Sequence, residues 1–102
     1  MSDHLADRQA ARVGEKLMAT LRAAFAGNDR VTDVRGVGLM IGVELATPEL
    51  SDAVASLCFR RGLLVLECGR KAIRLSPPLI LTEEQARATA DVFAGACRDA
   101  RP

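Results

Sequence analysis

The sequence contains no tryptophan and no tyrosine, and Phe25, Phe59 and Phe93 are its only aromatic residues. Base-stacking nucleic-acid modules need aromatic platforms, so this scarcity argues against them. A net charge of +1 adds no pull towards nucleic acid or an anionic membrane. Lysine is nearly absent: Lys16 and Lys71 stand alone, and arginine carries the rest of the positive charge. Cys58, Cys68 and Cys97 are an odd number, without CxxC or Cys/His spacing. That argues against a disulfide framework and a zinc site, and points to a reducing cytoplasm. His4 is the single histidine, near the start of the chain, so neither a metal site nor a histidine acid–base pair is expected. The opening stretch MSDHLADRQAARVGEKL is too polar for a signal peptide, and no apolar run approaches membrane-spanning length.

What is present suits a small soluble domain. A chain of 102 residues fits one domain, and 49% hydrophobic with 26% charged residues is an ordinary globular balance. Leu5, Ala10, Val13, Leu17, Leu21 and Phe25 recur with helical spacing, and Gly27-Asn28 is a left-handed stop. The spacing predicts an amphipathic helix over 3–26. The β-branched stretch 31–45 follows, interrupted by Gly36 and Gly38; two short strands joined at Gly36-Val37-Gly38 are expected, or one strand bent by a bulge. Thr47-Pro48 then reads as a cap and first turn, with a helix running to Gly62. LLVLEC, residues 63–68, is an apolar run of strand length, and 69–72 turn the chain into a returning strand over 73–76. Thr82 and Gln85 form a capping box for a last helix ending near Arg98, with Ala86, Ala90, Phe93 and Cys97 on one face. The order α-β-β-α-β-β-α implies an α+β fold: a small, mostly antiparallel sheet with helices packed on one face.

One arginine stands out in IRLSPPLILTEEQ. Ile73 and Leu75 share a strand face, so Arg74 and Ser76 point to the other. Pro77 and Pro78 then remove two backbone donors and force an extended exit. From the residues alone, Arg74 is either a solvated cation paired with Glu67 across the hairpin or a rigidly held fork for a carboxylate or phosphate. Other candidates read as structural. Gly36-x-Gly38 lacks the third glycine of a phosphate loop and opens no helix. Arg35 is an ion-pair candidate with Asp33 or Glu44, Cys68 at the hairpin tip a small buried hydrophobe in preference to a cleft-facing thiol, and Glu83 and Glu84 dipole-compensating charges in the first turn of the last helix.

DVRGVGLMIGVEL followed by RRGLLVLECGRKAIRLSPPLILTEEQ closely resembles the C-terminal, small-domain segment of class III pyridoxal-phosphate-dependent aminotransferases, such as those acting on 4-aminobutyrate, ornithine and acetylornithine. The likeness is collinear from about residue 5 to residue 98. It implies amino-group transfer between an amino donor and a 2-oxo acid in the full enzyme, and it aligns Arg74 with the arginine that receives the substrate carboxylate. It also implies that the cofactor lysine and phosphate-binding residues belong to a large domain absent from this segment. Neither Lys16 nor Lys71 has the setting of that lysine, so pyridoxal phosphate binding and catalysis are not expected of this chain alone. The rival expectation is a stand-alone, non-catalytic binding or oligomerisation module, a homodimer or a companion to a separate large domain.

Overall fold

The computed structural model describes residues 2–37, 40–75 and 82–102, with side chains from Arg12 onward apart from Val37. Seven elements follow the expected order: α1 (Ser2–Phe25), β1 (Val31–Val37), β2 (Met40–Leu45), α2 (Pro48–Arg60), β3 (Leu66–Cys68), β4 (Ala72–Leu75) and α3 (Glu83–Asp99). The strands form one antiparallel sheet in the order β1-β2-β4-β3, two hairpins zipped together through β2 and β4. All three helices cover a single face. Val34, Ile41, Val43, Leu45, Ile73 and Leu75 are buried beneath them, whereas Met40, Gly42, Glu44 and Arg74 alternate to the uncovered face.

Local signals account for most boundaries. Gly27 ends α1 at φ +77° and Gly62 follows α2 at φ +88°, a backbone region that L side chains rarely adopt. Thr47 caps α2 by accepting from the Leu50 amide at 3.1 Å, with Pro48 in the first turn. The reciprocal bonds of the Thr82/Gln85 capping box are both made, at 3.0 and 3.1 Å. The hairpin reading of 31–45 holds, since β1 and β2 pair down to Val37 and Met40. Gly36 lies inside β1, and residues 38–39 of the connection fall outside the described residues, as do Ser76, Pro77 and Pro78.

One expected element is shorter. Only Leu66–Cys68 of LLVLEC joins the sheet. Residues 63–65 run irregularly, with Leu63 and Val65 half-buried against the core and Leu64 exposed. An apolar run matched the length of a buried strand, but β3 is an edge strand and half of the run faces outward.

Two arginines tie the layers together by donating to backbone carbonyls. Arg22 of α1 donates to the Val34 carbonyl of edge strand β1 at 3.0 Å. Arg30 donates to the Cys97 and Ala100 carbonyls at 3.1 and 2.6 Å, placing a cation at the negative end of α3. Arg61 reaches across Gly95 to Asp99, whose carboxyl its hydrogen-bonded neighbours Arg98 and Arg61 hold down at about 2. Burial pushes the Cys58 and Cys97 thiols up to about 11 and about 12, so both behave as small core hydrophobes.

Among the described residues, Ser51 is the exception to this satisfaction of polar groups. It is 1% exposed on α2, and its hydroxyl has no hydrogen-bond partner. A buried unpaired hydroxyl carries its desolvation cost uncompensated, so Ser51→Ala should raise stability by about 1 kcal/mol in urea unfolding. A loss of stability on that substitution would mean that the hydroxyl is bonded in solution.

Candidate functional site: the open sheet face

The uncovered face follows from the register. Arg35 pairs with Gly42, Gly42 with Arg74, and Arg74 with Leu66, so these four residues make one row across all four strands. β4 is an interior strand, which holds the Arg74 backbone from both sides. Arg35, Gly36, Met40, Ile41, Gly42 and Arg74 line a shallow depression of about 540 Å³ here. The neighbouring row carries Asp33 and Glu44.

Arg74 is exposed, and among the described residues it has no hydrogen bond or ion pair. The possible pairing with Glu67 is not formed. Glu67 pairs in register with Ile73, whose side chain faces the helices, so it lies across the sheet from Arg74. A hydrogen bond with Asp52 of α2 raises the Glu67 carboxyl. The two residues are close in the hairpin, but a one-residue offset puts them on opposite faces. Of the two partners considered for Arg35, the structure selects Asp33, which accepts from Arg35 Nε. Glu44 instead accepts from the Thr32 hydroxyl at 2.7 Å.

The remaining candidates lie elsewhere. Lys16 donates to Glu83 at 2.7 Å between α1 and α3, on the helical side, and this pairing lowers the Glu83 carboxyl. Lys71, in the β3–β4 turn, lines a small hollow with Ala46, Pro48 and Arg70 beside the start of α2. Neither lysine is placed beside Arg74, and the described residues of the depression offer arginines but no lysine or carboxylate lining. These residues do not fit the attachment site of pyridoxal phosphate, which needs a lysine amine and an acidic partner for the ring nitrogen. His4 lies in α1, but its side chain is outside the described residues. The buried reading of Cys68 is corrected: it is half-buried and pairs with Ala72 in the rows of the open face, the side its alternative reading gave it. Gly36 has a packing role, because a Cβ there would come within 2.7 Å of Met18 Sδ.

Sequence reasoning missed the proximity of Arg35 and Arg74 across Gly42. Alternation places each residue on a face, but only the β1-β2-β4 order brings the two arginines into one row. The hairpin glycines were a signal of β1–β2 pairing, and nothing local marked β2 and β4 as neighbours.

A two-layer α+β domain that presents an interior-strand arginine, without a partner among the described residues, on an open sheet face is the class these observations define. The chain belongs to the class III aminotransferase family: the model described as "Aminotransferase class-III" matches residues 2–97. It is 37% identical over 93 residues to an acetylornithine aminotransferase of Methanothermobacter thermautotrophicus, covering 91% of this chain and 23% of that protein. It is 34% identical over 100 residues to an alanine/serine racemase of Pyrococcus horikoshii, covering 90% and 21%. Among solved structures, an acetylornithine aminotransferase from Elizabethkingia anophelis superposes with a TM-score of 0.86 at 27% identity, covering 96% of this chain and 26% of that one. The chain therefore spans about a fifth to a quarter of the length of these relatives.

Proposed function

We propose that this chain acts as the C-terminal small domain of a pyridoxal-phosphate-dependent aminotransferase, with Arg74 receiving the carboxylate of the amino acid or 2-oxo acid. The observation that carries the reading is Arg74 itself: exposed on an interior strand, free of protein partners among the described residues, and lining a depression. A guanidinium held on a rigid strand offers parallel donors to a carboxylate without first reorganising a loop. The cofactor lysine and its acidic partner would come from a large domain outside this segment, so the chain alone is non-catalytic. When bound in that larger assembly, the cofactor supplies the electron sink for amino transfer. Relatives of similar identity are named as an aminotransferase and as a racemase, which fits a division in which the choice of reaction lies outside this segment. A cytoplasmic location suits the free thiols, and no described helix is long and apolar enough to cross a membrane.

Titration of the chain with 2-oxoglutarate, followed by NMR shifts of β2 and β4 amides, tests the carboxylate role. Arg74→Ala should weaken binding at least tenfold, the range expected for a charge-assisted hydrogen bond. Indistinguishable curves for the two proteins would remove Arg74 from the site. Stoichiometric pyridoxal phosphate followed by borohydride should leave Lys16 and Lys71 unmodified. A specific adduct on either would overturn the claim that the cofactor lysine lies outside this segment.

Exposed apolar side chains favour a second reading, an assembly module. Phe59, Leu64, Leu66 and Met40 are 71%, 75%, 56% and 52% exposed. Surfaces of this kind bind a second copy or a companion domain. Sedimentation of the isolated chain tests the second-copy form of this reading, since a monomer at high concentration leaves no role for self-assembly and only a companion domain as the occupant.

A further inference from the structure

The two edges of the sheet are protected unequally. β1, at one edge, carries devices that keep a strand from pairing further. Its register shifts between Val31 and Asp33, Arg35 pairs with Asp33 on it, and Arg22 of α1 occupies the Val34 carbonyl. β3, at the other edge, has none of these. Residues 63–68 contain no lysine, arginine or proline, and their one charge, Glu67, is turned towards Asp52 of α2. An edge left apolar and nearly uncharged is a template for another strand.

The approach to β3 shows where that strand would run. Residues 63–66 alternate as a strand does, with Leu63 and Val65 half-buried against the core and Leu64 and Leu66 exposed. Yet only Leu66–Cys68 is paired, through β4. Among the described residues, nothing bonds the backbone of 64–66 from the side away from β4. Phe59, Leu64 and Leu66, all at this end of the chain's α2–β3 passage, are three of the four large apolar side chains exposed among the described residues.

We infer that the β3 edge is the contact surface for a second copy of this chain, the two edges pairing antiparallel about a two-fold axis at Val65 and joining two four-stranded sheets into one. The inference deepens the assembly reading and rests on it. A second copy suits this edge because an antiparallel pair about a two-fold axis is self-complementary. With Val65 opposite Val65, Leu64 of each copy meets Leu66 of the other, and Glu67 meets Leu63 instead of a second carboxylate. Phe59, Leu64 and Leu66 leave on the order of 400 Å² of apolar side chain in water per copy, so two copies with their paired backbones reach the roughly 1,000 Å² of a specific interface. The new strands extend the sheet sideways and leave Arg74 open.

The test is sedimentation equilibrium of the 102-residue chain for wild type, the double variant Leu64→Lys/Leu66→Lys, and Met40→Lys. Urea midpoints confirm that each variant is folded. Wild type should dimerise, and the double variant should weaken dimerisation by about tenfold or more. Met40→Lys changes an exposed apolar residue on β2, away from the edge, and should leave the dimer unchanged. In a mixture of isotope-labelled and unlabelled wild type, NMR contacts between copies should join residue 64 to residue 66. A dimer that survives the double variant, or that Met40→Lys disrupts, overturns this inference and leaves the assembly reading standing. A monomeric wild type at high concentration removes this dimer and self-assembly together, with a companion domain as the remaining occupant.

Discussion

Replacing Phe93 with alanine should cost the domain about 3–5 kcal/mol, the largest single loss expected here. Phe93 is fully buried on α3 and meets Phe25 of α1 edge-on, with ring centroids 6.0 Å apart and planes at 74°. The substitution removes the ring's burial, leaves a cavity between two helices, and breaks an aromatic pair itself contributing about 0.5–1.5 kcal/mol. A domain of this size has about 5–15 kcal/mol in all, so the variant should unfold at far lower urea. Phe59→Ala is the matched control. That ring is 71% exposed at the end of α2, and its removal should shift stability by no more than about 0.5 kcal/mol. Equal effects at the two positions would mean that α1 and α3 do not pack as described.

Gly36→Ala should be the second most damaging of these changes, at about 1–3 kcal/mol. The added Cβ would lie 2.7 Å from Met18 Sδ, 2.9 Å from the Met40 carbonyl oxygen and 3.2 Å from Ile41 Cγ1. Met18 is flexible and can swing away. The Met40 carbonyl belongs to the paired strand and cannot move without disturbing the hairpin. Thermal unfolding should show a midpoint lower by roughly 5–15 °C. Gly42→Ala, six residues on, meets no atom of the described residues closer than 4.0 Å and should leave the midpoint nearly unchanged. A fall at Gly42 matching that at Gly36 would contradict the assignment of one glycine to packing and the other to the site.

The contrast between these glycines shows where sequence reasoning reached its limit. Both interrupt the same β-branched stretch, and both mark it as something other than a plain strand. Their different roles depend on what lies opposite: α1 and the partner strand over Gly36, and among the described residues only the Arg35 carbonyl oxygen at 4.0 Å over Gly42. Glu67 makes the same point. It was a reasonable partner for Arg74 by proximity, yet the register set it against Ile73 and turned it towards Asp52. The error at 63–65 has a related cause, because an apolar run has the same composition whether its strand is central or at an edge. Leu64 and Leu66 are apolar and exposed, and nothing within the run distinguishes them from core residues.

The sequence by itself determined the element order, the helix ends, the α+β class and the outward side of Arg74. Each depends on interactions within a few residues: helical and strand periodicity, the caps at Thr47 and Thr82, and the backbone freedom of Gly27 and Gly62. Only the tertiary structure decided that Arg35, Gly42 and Arg74 share a row and that Arg30 closes the end of α3. Those arrangements depend on strand order and layer packing between residues far apart in the chain. Their free energy comes from burying Ile41, Val43, Ile73 and Leu75 together beneath the helices, a long-range gain with no local signature.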